Sequence, residues 1–271
     1  DHRDLHLSLR RQRQMCIRDS LKGKEGHHTL TPEANANALK MFDAAIEADP
    51  ENAQAYAWKA CTLGQAMVRG YVDKPMQEIM PEFSKLMSSA LSIDPNDFEC
   101  HRLQCAVNTM MGDMKAALEH GKKAYDLNPN DPRILQQYGE VLLKTGKTEE
   151  GCDLTLLALE YDPIAQGQTN SDKRKSDGVF GCVLDDRPQV GLDIASGMID
   201  RSEKVLVYSA ALAVSSTGSL ESFSWLIDDL RNADFAQIEE AIEEMGKFDV
   251  VVQSKLKEVF LDYILPLKEA A

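Results

Sequence analysis

Four stretches of this 271-residue chain close in the same way. AIEADP, ALSIDP, AYDLNP and ALEYDP end at Pro50, Pro95, Pro129 and Pro163. The last two intervals are both 34 residues, and the first, of 45, is longer by 11. Counting back five residues from each proline meets Ala45, Ala90, Ala124 and Ala158. Eight back are Phe42, Met87, Gly121 and Thr155, and twelve back are Ala38, Phe83, Ala117 and Gly151. Proline cannot donate to a helical ladder, so each marks a helix end. Small residues at fixed places let paired helices approach closely. The turns after the first three prolines carry Glu51-Asn52, Asn96-Asp97 and Asn130-Asp131, side chains suited to capping the helix that follows. Gly112 and Gly146 stand where a left-handed residue would separate two helices.

On these residues the chain resembles the tetratricopeptide-repeat (TPR) family over residues 21–163. The resemblance implies an all-α, TPR-type α-solenoid, a right-handed superhelix of antiparallel helix pairs. A narrower likeness rests on His27-His28, Thr31-Pro32-Glu33 and Asn35, and on extra residues at about 68–80 in the second repeat. These are similar to the repeat tails of bacterial class III adenylate/guanylate cyclases, and of some winged-helix transcription regulators. No cyclase catalytic motif accompanies them.

Residues 1–20 resemble translated sequencing-adapter read-through and are expected to be a non-native scar, disordered or extending the first helix. The alternative is a basic amphipathic leader with Leu5, Leu7 and Leu9 beside Arg10, Arg11 and Arg13. The authentic part of helix A in the first repeat is then 21–28, with Thr31 as N-cap and Pro32 at the first position of helix B. Beyond Pro163 the register decays. Residues 164–177 read as a polar linker, and 178–271 as diverged hairpins (178–184 with 188–200, 205–215 with 220–232) and capping helices. Ile238, Ala241, Ile242, Met245 and Phe248, then Val252, Leu256, Val259, Phe260 and Tyr263, keep helical spacing.

The first twenty residues hold five Arg and three Asp, so without them the formal charge goes from −14 to −16. Such a balance disfavours nucleic acid and anionic membranes as partners, and no apolar run approaches a bilayer span. Setting Cys16 aside, Cys61, Cys100, Cys105, Cys152 and Cys182 lie at irregular spacings among apolar neighbours. They read as reduced, buried thiols of a cytoplasmic protein.

The chemistry-bearing residues read as structure. Cys100 and Cys105 diverge by about 140° on a helix, so Cys100-His101 with Cys105 is no zinc site. His27-His28 are assigned packing or capping, and the Asp228-Asp229, Glu239-Glu240 and Glu243-Glu244 runs a solvated face. No phosphate loop, HExxH or GxSxG is present, and DGVFGCVL holds only an isolated GxxG. No cofactor, no metal and no catalysis are expected.

In the family register, the second, fifth and ninth residues of each repeat face the concave groove. The resemblance therefore implies Gln54, Ala57 and Cys61, then Glu99, Arg102 and Ala106, then Arg133, Gln136 and Glu140 as lining residues. Chaperone-binding relatives carry Asn at the ninth position; Cys61, Ala106 and Glu140 replace it. The expected partner is a protein or peptide segment, with homodimerisation as the alternative use. Arg102 and Arg133 are expected either to meet a ligand carboxylate or to neutralise Glu99 and Glu140, at about 0–1 kcal/mol for exposed pairs.

Overall fold

The computed structural model describes residues 2–164, 168–235, 238–245 and 249–269, which are helical with no strand among them. They form two compact units, residues 1–129 and 130–271.

Unit 1 comprises α1 (His2–Thr29), α2 (Pro32–Ala48), α3 (Ala53–Val68), α4 (Met76–Ile93), α5 (Phe98–Met111) and α6 (Met114–Leu127). Consecutive helices pack as pairs, α1 on α2, α3 on α4 and α5 on α6, and α3 also packs on α5. The proline register determines how the second helices end. Asp49, Asp94 and Asn128, each just before its proline, donate a backbone N–H to the carbonyl of Ala45, Ala90 and Ala124 at 3.0, 3.1 and 2.9 Å. In unit 2, Asp162 does the same to Ala158 at 3.2 Å. The proline then forbids the next ladder bond and pushes the preceding residue out of helical geometry. All four alanines are at most 1 % exposed, so their size sets the distance between paired helices.

The starts are equally local. Thr31, Asn52, Asp97 and Asp131 each accept from a backbone N–H in the first turn of α2, α3, α5 and α7. Gly112 and Gly146 take φ of +78° and +81° where α5 and α7 end. The excess length of the second repeat is distributed over the whole hairpin. α3 has 16 residues against 14 in α5, and α4 has 18 against 14 in α6. Seven residues, 69–75, connect α3 to α4 where two connect α5 to α6, which accounts for the 11. Within that insertion Tyr71 donates its hydroxyl to the Leu30 carbonyl at 2.7 Å. Leu30 is a non-glycine residue at φ +59°, and this bond holds its strained turn between α1 and α2. α1 is continuous from His2, well before the expected start of the first repeat; the side chains of 2–14 lie outside the described residues.

Unit 2 comprises α7 (Pro132–Lys144), α8 (Thr148–Tyr161), α9 (Gln168–Leu184), α10 (Pro188–Ser196), α11 (Glu203–Thr217), α12 (Ser224–Asn232), α13 (Ile238–Met245), α14 (Val250–Val259) and α15 (Leu265–Glu269). A π-helical turn, Phe260–Ile264, joins the last two and brings both Phe260 and Ile264 inward. α11 is buried on every side from Val205 to Ala213 except at Tyr208, and α9, α10, α12, α13 and α14 pack around it. Ile238, Ile242 and Met245 of α13 and Val252, Leu256 and Val259 of α14 supply the covering layer. Phe248 and the side chains of Ala241 and Glu244 lie outside the described residues.

Two expectations need correction here. The hairpin arms expected over 188–200 and 220–232 are shorter as helices, Pro188–Ser196 and Ser224–Asn232; past the end of α10, Arg201 folds back to the Ala195 and Met198 carbonyls and pairs with Asp229 at 2.6 Å. The linker expected over 164–177 is largely helix, since α9 begins at Gln168. Its polar residues have partners that no local pattern reveals. Arg174, 4 % exposed, reaches the Asp162 carbonyl at 2.8 Å, the Asp162 carboxylate at 2.6 Å and the Gln136 amide oxygen at 3.1 Å. Charge-assisted bonds of this kind contribute about 1.5–3 kcal/mol each, enough to override the low propensity of a Gln-Thr-Asn-Ser start.

Candidate protein-binding face

The nine expected lining residues fall into two groups that the structure treats differently. In unit 1, Ala57 is fully buried and Glu99 is 2 % exposed, so neither presents a surface; this corrects their assignment to the groove. Ala57 belongs to the apolar core with Trp58, Phe83 and Leu103. Glu99 is covered by Arg102, whose Nε and Nη2 meet its two carboxylate oxygens, both at 3.0 Å. The same guanidinium lies 5.7 Å from the Trp58 ring centre, and Lys24 lies 5.2 Å from it. Gln54 bridges Lys24 and Asp97.

In unit 2, Arg133 pairs with Asp131 at 2.6 Å and not with Glu140, because the N-cap carboxylate is two residues away on its own helix start. Glu140 pairs instead with Lys144 at 2.6 Å. Burial pushes the Glu140 carboxyl up, and the Lys173 and Lys144 ammoniums outweigh that to hold it below the usual range. Gln136 donates to Asp177 and accepts from Arg174, both on α9. The polar face of α7 is therefore occupied by α9.

Cys61 and Ala106, the ninth residues of the second and third repeats, come together. With His27, Gly64, Gln65, Arg69, Val107 and Met110 they line a cleft of about 230 Å³ on α1, α3 and α5. Gly64 adds no side chain to it; an added Cβ would make ordinary contacts, 3.6 Å from Phe83 and 3.8 Å from Met110. Burial pushes the Cys61 thiol up to about 11, so it lines the cleft as a neutral, unreactive group.

The His27-His28, Thr31 and Asn35 signature forms the wall behind this cleft. Asn35, 2 % exposed, donates to the Thr62 carbonyl at 3.0 Å and the Gln65 amide oxygen at 2.8 Å. Gln65 donates to the His27 carbonyl at 3.1 Å, and the His27 ring meets the Thr62 hydroxyl at 3.1 Å. Both histidines also pack edge-on against Trp58. These residues clasp the first hairpin onto α3, as their reading as packing groups requires.

His27 carries a pH consequence. Burial first, then the charges of His28 on α1, Arg102 on α5 and Arg69 just past α3, push its imidazole down to about 3. The unfolded chain then binds a proton near pH 6.5 that the folded chain refuses, so stability falls as pH drops below 6.5. Unit 1 is expected to lose about 2 kcal/mol between pH 6.5 and 5, at about 1.4 kcal/mol per unit. Urea unfolding followed by Trp58 fluorescence in a Trp225→Phe chain checks this, and His27→Gln should flatten the slope. An unchanged slope in that variant would place the acid sensitivity elsewhere.

The histidine and cysteines of α5 are structural. Cys100 and Cys105 are fully buried, and His101 meets the Pro95 carbonyl and the His120 ring, both at 2.9 Å. The His120 partner was invisible in sequence because it comes from α6. Among the described residues, no three His, Cys, Asp or Glu are grouped to hold a metal, and no helix is long and apolar enough to cross a membrane. Glu239, Glu240 and Glu243 are exposed, while Asp229 is engaged by Arg201.

No family model and no curated protein matches the chain. Among solved structures it is similar to a tetratricopeptide repeat protein from Parabacteroides merdae ATCC 43184, at 14 % identity and TM-score 0.47, covering 91 % of this chain and 99 % of that one. It is similar to MamA at 12 % identity and TM-score 0.42, covering 74 % and 94 %. It is also similar to YrrB, described as a TPR protein with an unusual peptide-binding site, at 19 % identity and TM-score 0.41, covering 69 % and 84 %. The chain's own helix pairs, closed on one proline register, make its architecture one of TPR-type helical hairpins.

Proposed function

We propose that this chain is a non-catalytic protein-interaction module that takes an extended peptide segment on the α1–α3–α5 face of unit 1. The observation that supports this most is the cleft itself, where the ninth residues of two successive repeats converge on open space. At about 230 Å³ it is smaller than the roughly 300–1,000 Å³ of small-molecule sites. It suits one inserted side chain of a longer partner. Ala106→Trp fills the cleft from a partly exposed helix position. Peptides enriched from a random-sequence library on the native chain should lose at least about tenfold in affinity for this variant. Binding that survives the tryptophan unchanged would remove the cleft from consideration.

The likeness of His27-His28, Thr31-Pro32-Glu33 and Asn35 to cyclase repeat tails supports a narrower reading, in which the module is the regulatory or scaffolding tail of a bacterial nucleotide cyclase or similar signalling protein in the cytoplasm. A free-standing adaptor or a dimerisation scaffold is the competing use. Recovery of the coding sequence upstream of residue 21 decides between them. A cyclase catalytic domain is expected there, and a nearby start codon overturns the tail reading.

A further inference from the structure

We infer that the unit 1 cleft selects an apolar side chain adjacent in sequence to an acidic one, the apolar group entering between α3 and α5 and the carboxylate meeting Arg69. This rests on the peptide-binding reading above and names its ligand chemistry. The walls supply the apolar half. Gly64, Ala106, Val107 and Met110 offer small or hydrocarbon surface, and Met110 is 45 % exposed. Its flexible thioether can follow the shape of a Leu, Met or Phe side chain.

Charge supplies the other half. Among the described residues, Arg69 is the one charged group lining the cleft and no carboxylate lines it, although the chain holds 44 Asp and Glu against 30 Lys and Arg. Arg69 is exposed and makes no ion pair among the described residues. Arg102, also on this face, is engaged by Glu99. His27 and Cys61 stay neutral, and the Gln65 amide is occupied by His27 and Asn35. The local sign is thus opposite to that of the whole chain, and it selects an anion beside the apolar anchor. The competing explanation is structural: Arg69 caps the C-terminal end of α3, where a cation complements the helix dipole. That role would alter stability and leave binding untouched.

The test pans a random-sequence peptide library, amidated at its C-termini, against the full chain. The expected consensus places Leu, Met or Phe next to Asp or Glu. Arg69→Gln should weaken the enriched peptides about ten- to hundredfold, with the loss shrinking as salt rises. Arg69→Lys should recover part of the affinity. If no peptide is enriched, or if Ala106→Trp binds as the native chain does, the peptide-binding reading fails and takes this inference with it. If peptides bind through the cleft but lack an acidic neighbour, the inference alone is overturned. It is likewise overturned alone if Arg69→Gln leaves their affinity unchanged.

Discussion

Arg102→Ala is expected to destabilise unit 1 by about 3–5 kcal/mol. An exposed wall cation, whether it faced a ligand or Glu99, would hardly be missed in stability, but the partner of Arg102 is buried. Glu99 is 2 % exposed, and the Arg102 side chain that grips both of its oxygens is only 12 % exposed. Removing the guanidinium strands a carboxylate away from water and uncovers the Trp58 ring. Pairing the change with Glu99→Gln removes the charge as well, so the double variant should be less destabilised than Arg102→Ala alone. Urea unfolding read by Trp58 fluorescence in a Trp225→Phe chain measures all three. Additive losses in the double variant would mean that the two side chains do not act as a pair. Arg133→Ala should change stability by no more than about 1 kcal/mol, since its side chain is 46 % exposed on Asp131.

A methyl group at Gly151 is expected to cost unit 2 about 3 kcal/mol, the upper end for overpacking. Where α7 and α8 cross, a Cβ on Gly151 would stand 2.8 Å from the Leu143 backbone nitrogen and 2.9 Å from the Gly139 carbonyl oxygen. Neither atom belongs to a side chain that can rotate away, so the two helices must separate. Gly139→Ala meets the Gly151 carbonyl at 3.0 Å and should behave alike. Gly146→Ala is the control. Its Cβ would meet nothing within 4 Å, and only its φ of +81° opposes the change, at about 1 kcal/mol. Unfolding of a Trp58→Phe chain, read by Trp225, checks the order. Equal losses at Gly146 and Gly151 would show that backbone conformation, and not helix contact, sets the cost.

The repeated proline, the alanine five residues before it and the capping Asn and Asp were readable because each acts through bonds spanning at most five residues. The cap N–H to Ala45, Ala90, Ala124 and Ala158 is such a bond, and so are the Thr31 cap and the left-handed Gly112 and Gly146. Spacing alone therefore determined the helix pairs over residues 21–163. The family resemblance, not spacing, puts Cys61 and Ala106 at equivalent positions of successive repeats, and both line the cleft. Other features were settled only in the folded chain. Glu99 and Ala57 are buried, Arg133 pairs with Asp131 rather than Glu140, α9 begins inside the expected linker, and Arg69 lines the cleft. Helical propensity and periodicity report which face of a helix is apolar. They do not report which polar group another helix will deliver to it, and in the low dielectric of a packed interior that delivery decides whether a charge is tolerated. The chain's sequence determined its hairpins; only their packing decided which charges are paired inside and which stay exposed.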